Sequence, residues 1–474
     1  MRRFIQSALL VLALCSCGTR DSENGFDGNN VVLSLAVVSD VHINTGVPVT
    51  YEKWTSALNQ LVSKAAEDDA DGLDVVLVAG DLIDYPSERF LGEFKRVYES
   101  VLDPVAVPLI YAVGNHDVPK YRWDSTMVSD ASYIRDLLGD DYFLKDIDKV
   151  SGEGLECRHC QVGGYDVIAI SPYGTGPVVY SPDALGWLDS TLSDITSKKP
   201  DRYVLLITHP MMYDTVYGSL LGEADGIWKS SHPGYWATRE IPEILSNYPQ
   251  VVAFGGHLHF PLNDPRSVWQ GSFTALGCGS VRYMALEAGN YEYMAGQTVM
   301  KDKDEFSQGN LVQFDRRGNM RILRMDFYNG AVIGEPLVMR RPLKNGKHLR
   351  KYSFEARQEA NGSPSLSTMD VLIIPATDST GRGISVSFAS GADDSFVHHY
   401  EVSLSADGRT LATKKILADF YKYPDTSMMK PSWDVTFGPE DLAEIPEKGR
   451  CSVTVKAFDS WDAASEPLVK EVDL

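Results

Sequence analysis

Six short apolar, β-branched runs recur through the first half of the chain: 31–38, 75–79, 108–113, 165–170, 203–207 and 251–254. They show little polar alternation, which predicts strands buried on both faces. The intervening segments change period. Trp54, Leu58, Leu61, Val62 and Ala65 share one helical face, as do Leu185, Leu188 and Leu192. Strands alternating with amphipathic helices predict a layered α/β architecture.

The polar residues that end these runs carry the chemistry. The first run closes in Ser39-Asp40-Val41-His42, the second in Gly80-Asp81-Leu82-Ile83-Asp84 and the third in Gly114-Asn115-His116-Asp117. The run at 203–207 ends in Thr208-His209-Pro210, and that at 251–254 in Gly255-Gly256-His257-Leu258-His259. All five clusters follow the C-terminal end of a predicted strand, where open α/β sheets place their ligands. A single Gly-Asp or a lone histidine at a strand end is ordinary turn structure. Five such clusters at equivalent positions, holding five of the ten histidines, are not.

The ordered set Asp40-x-His42, Gly80-Asp81-x-x-Asp84, Gly114-Asn115-His116-Asp117, His209 and Gly256-His257-x-His259 resembles the calcineurin-like metallophosphoesterase superfamily over residues 31–341. The resemblance implies a β-sandwich flanked by helices and a hydrolase of phosphoester bonds, in which a hydroxide bridging two metal ions attacks phosphorus. It places Asp40, His42, His259 and Asp81 on one ion, and Asn115, His209, His257 and Asp81 on the second. Mixed Asp, Asn and His donors suit transition metals such as Mn, Fe or Zn better than calcium. The resemblance also makes His116 the proton donor to the leaving oxygen, oriented by Asp84, and Asp117 an organiser of its turn. Tyr85-Pro86 and Asp117 stand where Ser/Thr protein phosphatases carry other residues, and Asp84 replaces the tyrosine of purple acid phosphatases. Monoester and diester substrates stay equally open. The loop 210–236, with Met211, Met212, Tyr213, Tyr217, Trp228, His232, Tyr235 and Trp236, and the later Trp269, holds either specificity contacts or core packing.

Charge changes the picture of partners. The formal charge is −21, so the chain has no overall basic footprint for nucleic acid. An anionic phosphoester therefore needs a local positive centre, which two divalent ions provide. The first 16 residues place Arg2 and Arg3 before an apolar run, a secretory signal pattern. Leu14-Cys15-Ser16-Cys17 resembles a bacterial lipobox with Cys17 as the lipidated residue. The expected setting is the bacterial cell envelope, facing the periplasm or the exterior, with residues 17–30 as a tether and the lipid as the only membrane contact. So negative a body is expected to stand away from anionic lipid. In that compartment Cys157, Cys160, Cys278 and Cys451 can pair, and Cys157-Arg-His-Cys160 reads as a local disulfide or free thiols.

Past a hairpin signal at 310–328 the composition shifts. Residues 342–367, basic and then polar, read as a linker. Residues 368–474 hold about seven short strands separated by turns, the pattern of an all-β sandwich; the stretch 452–467 resembles the last strands of a fibronectin type III domain. The competing functional reading is a catalytically inactive surface adhesion lipoprotein working through this second unit. A relic should lack a ligand, and none of the implied seven is missing. Oligomeric state is open.

Overall fold

The computed structural model describes residues 25–68, 71–117, 148–152, 155–172, 174–175, 178–219, 237–285, 303–343, 345–374, 382–446 and 448–474. The signal pattern, Cys17, Trp228, His232, Tyr235 and Trp236 lie outside them. In chain order the first unit contains β1 (Val31–Val38), α1 (Val49–Asp68), β2 (Val75–Ala79), α2 (Glu88–Val101), β3 (Leu109–Ala112), β4 (Asp148–Gly152), β5 (Leu155–Val162) and β6 (Tyr165–Ile170). It continues with β7 (Gly174–Thr175), β8 (Val178–Val179), α3 (Pro182–Lys198), β9 (Val204–Thr208), β10 (Met211–Met212), β11 (Ala237–Thr238), α4 (Glu240–Leu245) and β12 (Val251–Gly255). Then come β13 (Val268–Gln270), β14 (Thr274–Gly277), β15 (Gln308–Asp315), β16 (Met320–Asp326), β17 (Ala331–Val332) and β18 (Leu337–Met339).

Two seven-stranded sheets result. One runs β17-β16-β15-β1-β2-β3, with β18 also on β16; the other runs β13-β14-β12-β9-β6-β5-β4. Strands β1, β2 and β3 are parallel, as are β6, β9, β12 and β14, so each sheet gathers its strand ends at one edge. The sheets face each other across one apolar layer that includes Leu35, Leu77, Leu205 and Phe254. Alternate residues of the same strands point outward. On the first sheet they meet α1 and α2 through Trp54, Leu58 and Phe94. On the second they meet α3 and α4 through Leu188, Leu192 and Ile241. Burial on both faces explains why β2 and β9 are apolar at every position but the terminal Thr208. Met211, Met212 and Trp269 also pack in this outer layer.

All four described cysteines are free and buried. Cys157 and Cys160 lie in one strand, β5, three residues apart, and therefore point to opposite faces. Cys157 joins the layer under α3 and Cys160 the layer between the sheets, so a local disulfide between them is ruled out by strand geometry.

Residues 342–367 include a short helix, α5 (Phe354–Ala360), and bury Leu349 and Tyr352. The remaining strands are β19 (Met369–Ile374), β20 (Gly383–Ala389), β21 (Val397–Ala406), β22 (Arg409–Leu417), β23 (Ser432–Phe437), β24 (Arg450–Asp459) and β25 (Leu468–Asp473). They form a three-stranded sheet β19-β20-β23 and a four-stranded sheet β22-β21-β24-β25. The two share a core with Tyr400, Val402, Val435 and Val455. Met284 and Phe306 of the first unit join that core, which fixes the all-β unit beside the loop that follows His259.

Candidate metal centre

The sharp turns that leave β1, β2 and β12 give the site its shape. Asp40, His42, Asp81, His257 and His259 all adopt positive φ, between 47° and 69°. A left-handed backbone costs a non-glycine residue of order 1 kcal/mol or more, and such residues cluster where function holds them. The glycines of the motifs serve close approach. A Cβ on Gly114 would strike the Asp81 carboxylate and backbone, and one on Gly256 would strike Ser39 and Asp40.

The side chains so presented converge. His259 Nε2 lies 2.9 Å from Asp40 Oδ1 and 3.3 Å from His42 Nε2. His42 Nε2 is 3.6 Å from both Asp40 Oδ1 and Asp81 Oδ2. On the other side of Asp81, its Oδ2 lies 3.2 Å from His209 Nε2. That nitrogen is also 2.9 Å from Asn115 Oδ1 and 3.1 Å from His257 Nδ1. Two donor groups therefore share Asp81, namely Asp40, His42, Asp81 and His259, and Asp81, His209 and His257; His42, Asp84 and His116 form a third at the rim. All seven implied ligands are at most 6% exposed.

These residues fit metal ions on the structure's own terms. Donors held about 2.1 Å from one ion in a tetrahedral shell stand roughly 3.4 Å apart, and the separations here run from 2.9 to 3.6 Å. Asp40 Oδ1 is buried without a hydrogen-bond donor. The ring nitrogens away from the cluster are tied to main-chain carbonyls, His209 Nδ1 to Ala79 O at 2.8 Å and His259 Nδ1 to Tyr283 O at 2.8 Å. Such ties fix the tautomer and aim the other nitrogen at the ion.

Electrostatics agree. Burial opposes ionisation of Asp40 and Asp81, yet the surrounding imidazoles, His259 for Asp40 and His209 for Asp81, hold both carboxyls below the usual range. Burial likewise opposes charge on His42, but the nearby carboxylates of Asp40, Asp84 and Asp81 push it up to about 10. His209 is pushed up to about 9 against burial, chiefly by Asp81. His257, buried and beside His209, is held well below its ordinary value. The carboxylates demand positive charge here, from protons or from cations.

His116 sits at the rim, with about a quarter of its side chain exposed, its ring edge-on to His42 at 4.7 Å. Its Nδ1 bonds the main-chain carbonyl of Asp84 at 2.7 Å, while the Asp84 carboxylate is 3.8 Å away. A carbonyl only accepts, so Nδ1 carries the proton and Nε2 is the position that exchanges one. Asp84 thus orients His116 through its backbone. Its carboxylate instead accepts from Asn44 Nδ2 at 2.7 Å and faces His42 Nδ1 at 3.5 Å. Asp117 accepts from the amides of Asp81, Leu82, Ile83 and Gly114 at 2.8 to 3.2 Å, binding the second and third loops together.

Sequence reasoning missed three supports. Asn44 holds Asp84, and its only signal is that it lies two residues past His42. Tyr283 offers its carbonyl to His259 and its ring at 4.1 Å. Lys53, on α1, donates to Arg282 O at 2.7 Å and Phe306 O at 2.5 Å, tying the Tyr283 loop to the helix layer. Neither Tyr283 nor Lys53 belongs to a motif.

Residues 33–261 match the model of the calcineurin-like phosphoesterase family. The matched segment contains all seven donors, His116 and Asp84. No curated protein matches the sequence. Among solved structures the chain is similar to a purple acid phosphatase from yellow lupin (Lupinus luteus) seeds, at 13% identity and TM-score 0.44, over 67% of this chain and 55% of that one. It is similar to a sulfate thiohydrolase from Thermus thermophilus at 12% identity and TM-score 0.35, over 79% of this chain and 76% of that one. A 5'-nucleotidase precursor from Thermus thermophilus follows at 13% identity and TM-score 0.31, over 69% of this chain and 59% of that one. The chain thus spans little more than half of the lupin enzyme. The family match and the cluster of Asp and His donors fall on the same segment of the chain.

Proposed function

We propose that the chain hydrolyses small phosphoesters with two transition-metal ions, Mn, Fe or Zn, held by Asp40, His42, Asp81 and His259 and by Asp81, Asn115, His209 and His257. The carrying observation is the pair of donor groups that share Asp81. When bound, the ions supply Lewis acidity at the phosphoryl group. The chain's own residues do the rest. Asp81 joins the two donor groups through one oxygen, Oδ2, which faces both His42 and His209. Its other oxygen accepts the His116 amide at 2.9 Å, fixing the carboxylate's rotation. His116, held at Nδ1 by Asp84 O, delivers a proton from Nε2 to the leaving oxygen.

The Cys17 lipid anchor and a bacterial envelope location are part of this proposal. Among the described residues no helix is long and apolar enough to cross a membrane. The C-terminal unit, proposed as a fibronectin type III-like module, acts as a wall and spacer.

Parallel rates on an aryl monoester, an aryl diester and cyclic nucleotides across a metal panel test the reading. Turnover that needs added transition metal is expected. Full turnover by chelated, metal-stripped protein would overturn it, and rates confined to the diesters would make the enzyme a phosphodiesterase.

A further inference from the structure

The densest positive charge in this acidic chain takes no part in the metal centre. Residues 340–351 contain six Lys or Arg and no Asp or Glu, in a sequence of formal charge −21. The fold sets four of them, Arg340, Lys347, Arg350 and Lys351, around one cavity of about 480 Å³ that also touches Gln270 and Tyr352. All four are exposed. Among the described residues none of the four pairs with a carboxylate, whereas the neighbouring Arg341 lies 3.5 Å from Asp201.

The rim is braced from beneath. Gln270 Oε1 accepts the Tyr352 amide at 2.9 Å. His348 Nδ1 accepts the Leu343 amide at 3.0 Å, so Nε2 is the donor to Pro249 O at 2.9 Å. The cations thus stand on a fixed frame, and 480 Å³ lies within the range of small-ligand sites, roughly 300–1,000 Å³.

Position gives the cavity its meaning. Met339 pairs with Met320, Met320 with Phe314, and Phe314 with Leu33 near the start of β1. Tyr203, just before β9, donates to Arg340 O at 2.5 Å. The cavity therefore lies at the N-terminal ends of the parallel strands, and the metal donors at their C-terminal ends. Six residues along β9 separate Tyr203 from His209, so the two poles stand about 20 Å apart. The chain also enters the fold at the basic pole. The Gly25 carbonyl accepts from Asn319 Nδ2 at 2.8 Å, and a Cβ on Gly25 would come 3.3 Å from Arg340 Nε. Cys17 precedes Gly25 by eight residues, so the two lie within about 29 Å even for a fully extended chain.

We propose that this cavity receives the phosphate headgroup of an anionic phospholipid and docks the chain on a membrane by the pole opposite its metal centre. The average charge led to the opposite expectation, but charges farther off than about 8 Å are screened at physiological salt, while four cations at contact distance are not. Clusters of Lys or Arg beside a membrane attachment bind anionic lipid in this way. The proposal uses the Cys17 anchor for delivery and does not depend on the hydrolase reading.

Flotation of the full chain with vesicles of phosphatidylglycerol and phosphatidylcholine, against phosphatidylcholine alone, tests it. The expected result is binding to the anionic vesicles stronger by at least about tenfold, lost in the variant R340E/K347E/R350E/K351E. A control variant, K198E/K415E/K448E/K470E, changes net charge equally at surface lysines elsewhere and should keep the preference. Both variants should retain wild-type circular dichroism and turnover of a soluble aryl phosphate, since none of these residues belongs to the metal centre. Three results would overturn the proposal: no anionic preference in the wild type; a preference that survives in the cavity variant; or equal loss in the control.

Discussion

The chain contains two close histidine pairs with opposite fates. His257 and His259 follow β12 in left-handed backbone, with φ of 69° and 55°, and their rings meet Asp40, His42 and His209. His398 and His399 lie in β21, and their rings fill an apolar surface. His399 stacks on Phe458 with centroids 4.8 Å apart, and His398 lies 5.2 Å from Phe420. Among the described residues every group of His, Cys, Asp and Glu able to hold an ion lies in the first unit. The difference is the company the rings keep. At an irregularity in the β21–β24 register His398 Nδ1 and His399 Nδ1 approach to 3.1 Å, yet among the described residues no third His, Cys, Asp or Glu completes a donor group with them, whereas the strained turns at the strand ends bring histidines and carboxylates to one point. Histidine content alone therefore says nothing about a metal centre.

That contrast should break first at Asp81, the donor common to both groups. Asp81→Asn is expected to lower turnover by about 10³-fold or more, beyond the 10- to 100-fold typical of an outer-sphere partner. Elemental analysis should show fewer than two ions per chain. Wild-type rates from this variant would refute the shared-ligand arrangement.

His116→Asn should lower kcat by about 10²- to 10³-fold on esters with poor leaving groups and much less on activated aryl esters, with metal content unchanged. Equal losses on both would remove the proton-donor role. Asn44→Ala, which frees the Asp84 carboxylate, should cost about tenfold and also leave the metal in place.

Protonation sharpens the comparison without mutation. In the metal-free protein His42 and His209 are pushed up to about 10 and about 9, so at neutral pH both hold protons that an incoming ion must displace. Calorimetry in buffers of different ionisation enthalpy should show proton release on metal binding, and affinity should fall as pH falls. Both values lie above the ordinary histidine value of about 6.5. Their contribution to the metal-free fold is therefore complete below pH ~6.5 and is lost as pH rises through about 9 and 10. The thermal midpoint of metal-free protein should decline over that interval, and added metal should reverse the trend. A flat profile would contradict the charge arrangement described for the site.

The smallest functional effect is expected in the second unit. His398→Phe, inside the core of the β-sandwich, should shift the melting temperature by a few degrees while metal content and turnover stay at wild-type values. A loss of metal there would give the C-terminal pair a role that its packing does not suggest.

Much of this was legible in the residues themselves. The runs at 31–38, 75–79 and 165–170 are strands with the same bounds, because segments buried on both faces leave an unbroken apolar signature. The strand-end positions of the seven implied ligands were legible because each follows an apolar run in a short polar cluster, with glycine in three of the five clusters and Ser or Thr in the other two. The roles of Tyr283 and Lys53 were not, since each acts through a contact with chain far away in sequence and Tyr283 does so through its main chain. The Asp84 backbone contact to His116 was hidden for the same reason. Cys157-Arg-His-Cys160 left a local disulfide and free thiols open, and the strand decides for free thiols by carrying the two sulfurs to opposite faces.

The sequence by itself determined the alternation of strands and helices, the order of the strand-end motifs and the types of donor available to an ion. Only the tertiary structure decided that five of those residues take left-handed turns, that Asp81 faces both donor groups and that the basic run of 340–351 stands at the opposite pole. Periodicity and motif are local properties of a chain. Distances between side chains hundreds of residues apart are set by how two sheets pack, and no local pattern encodes them.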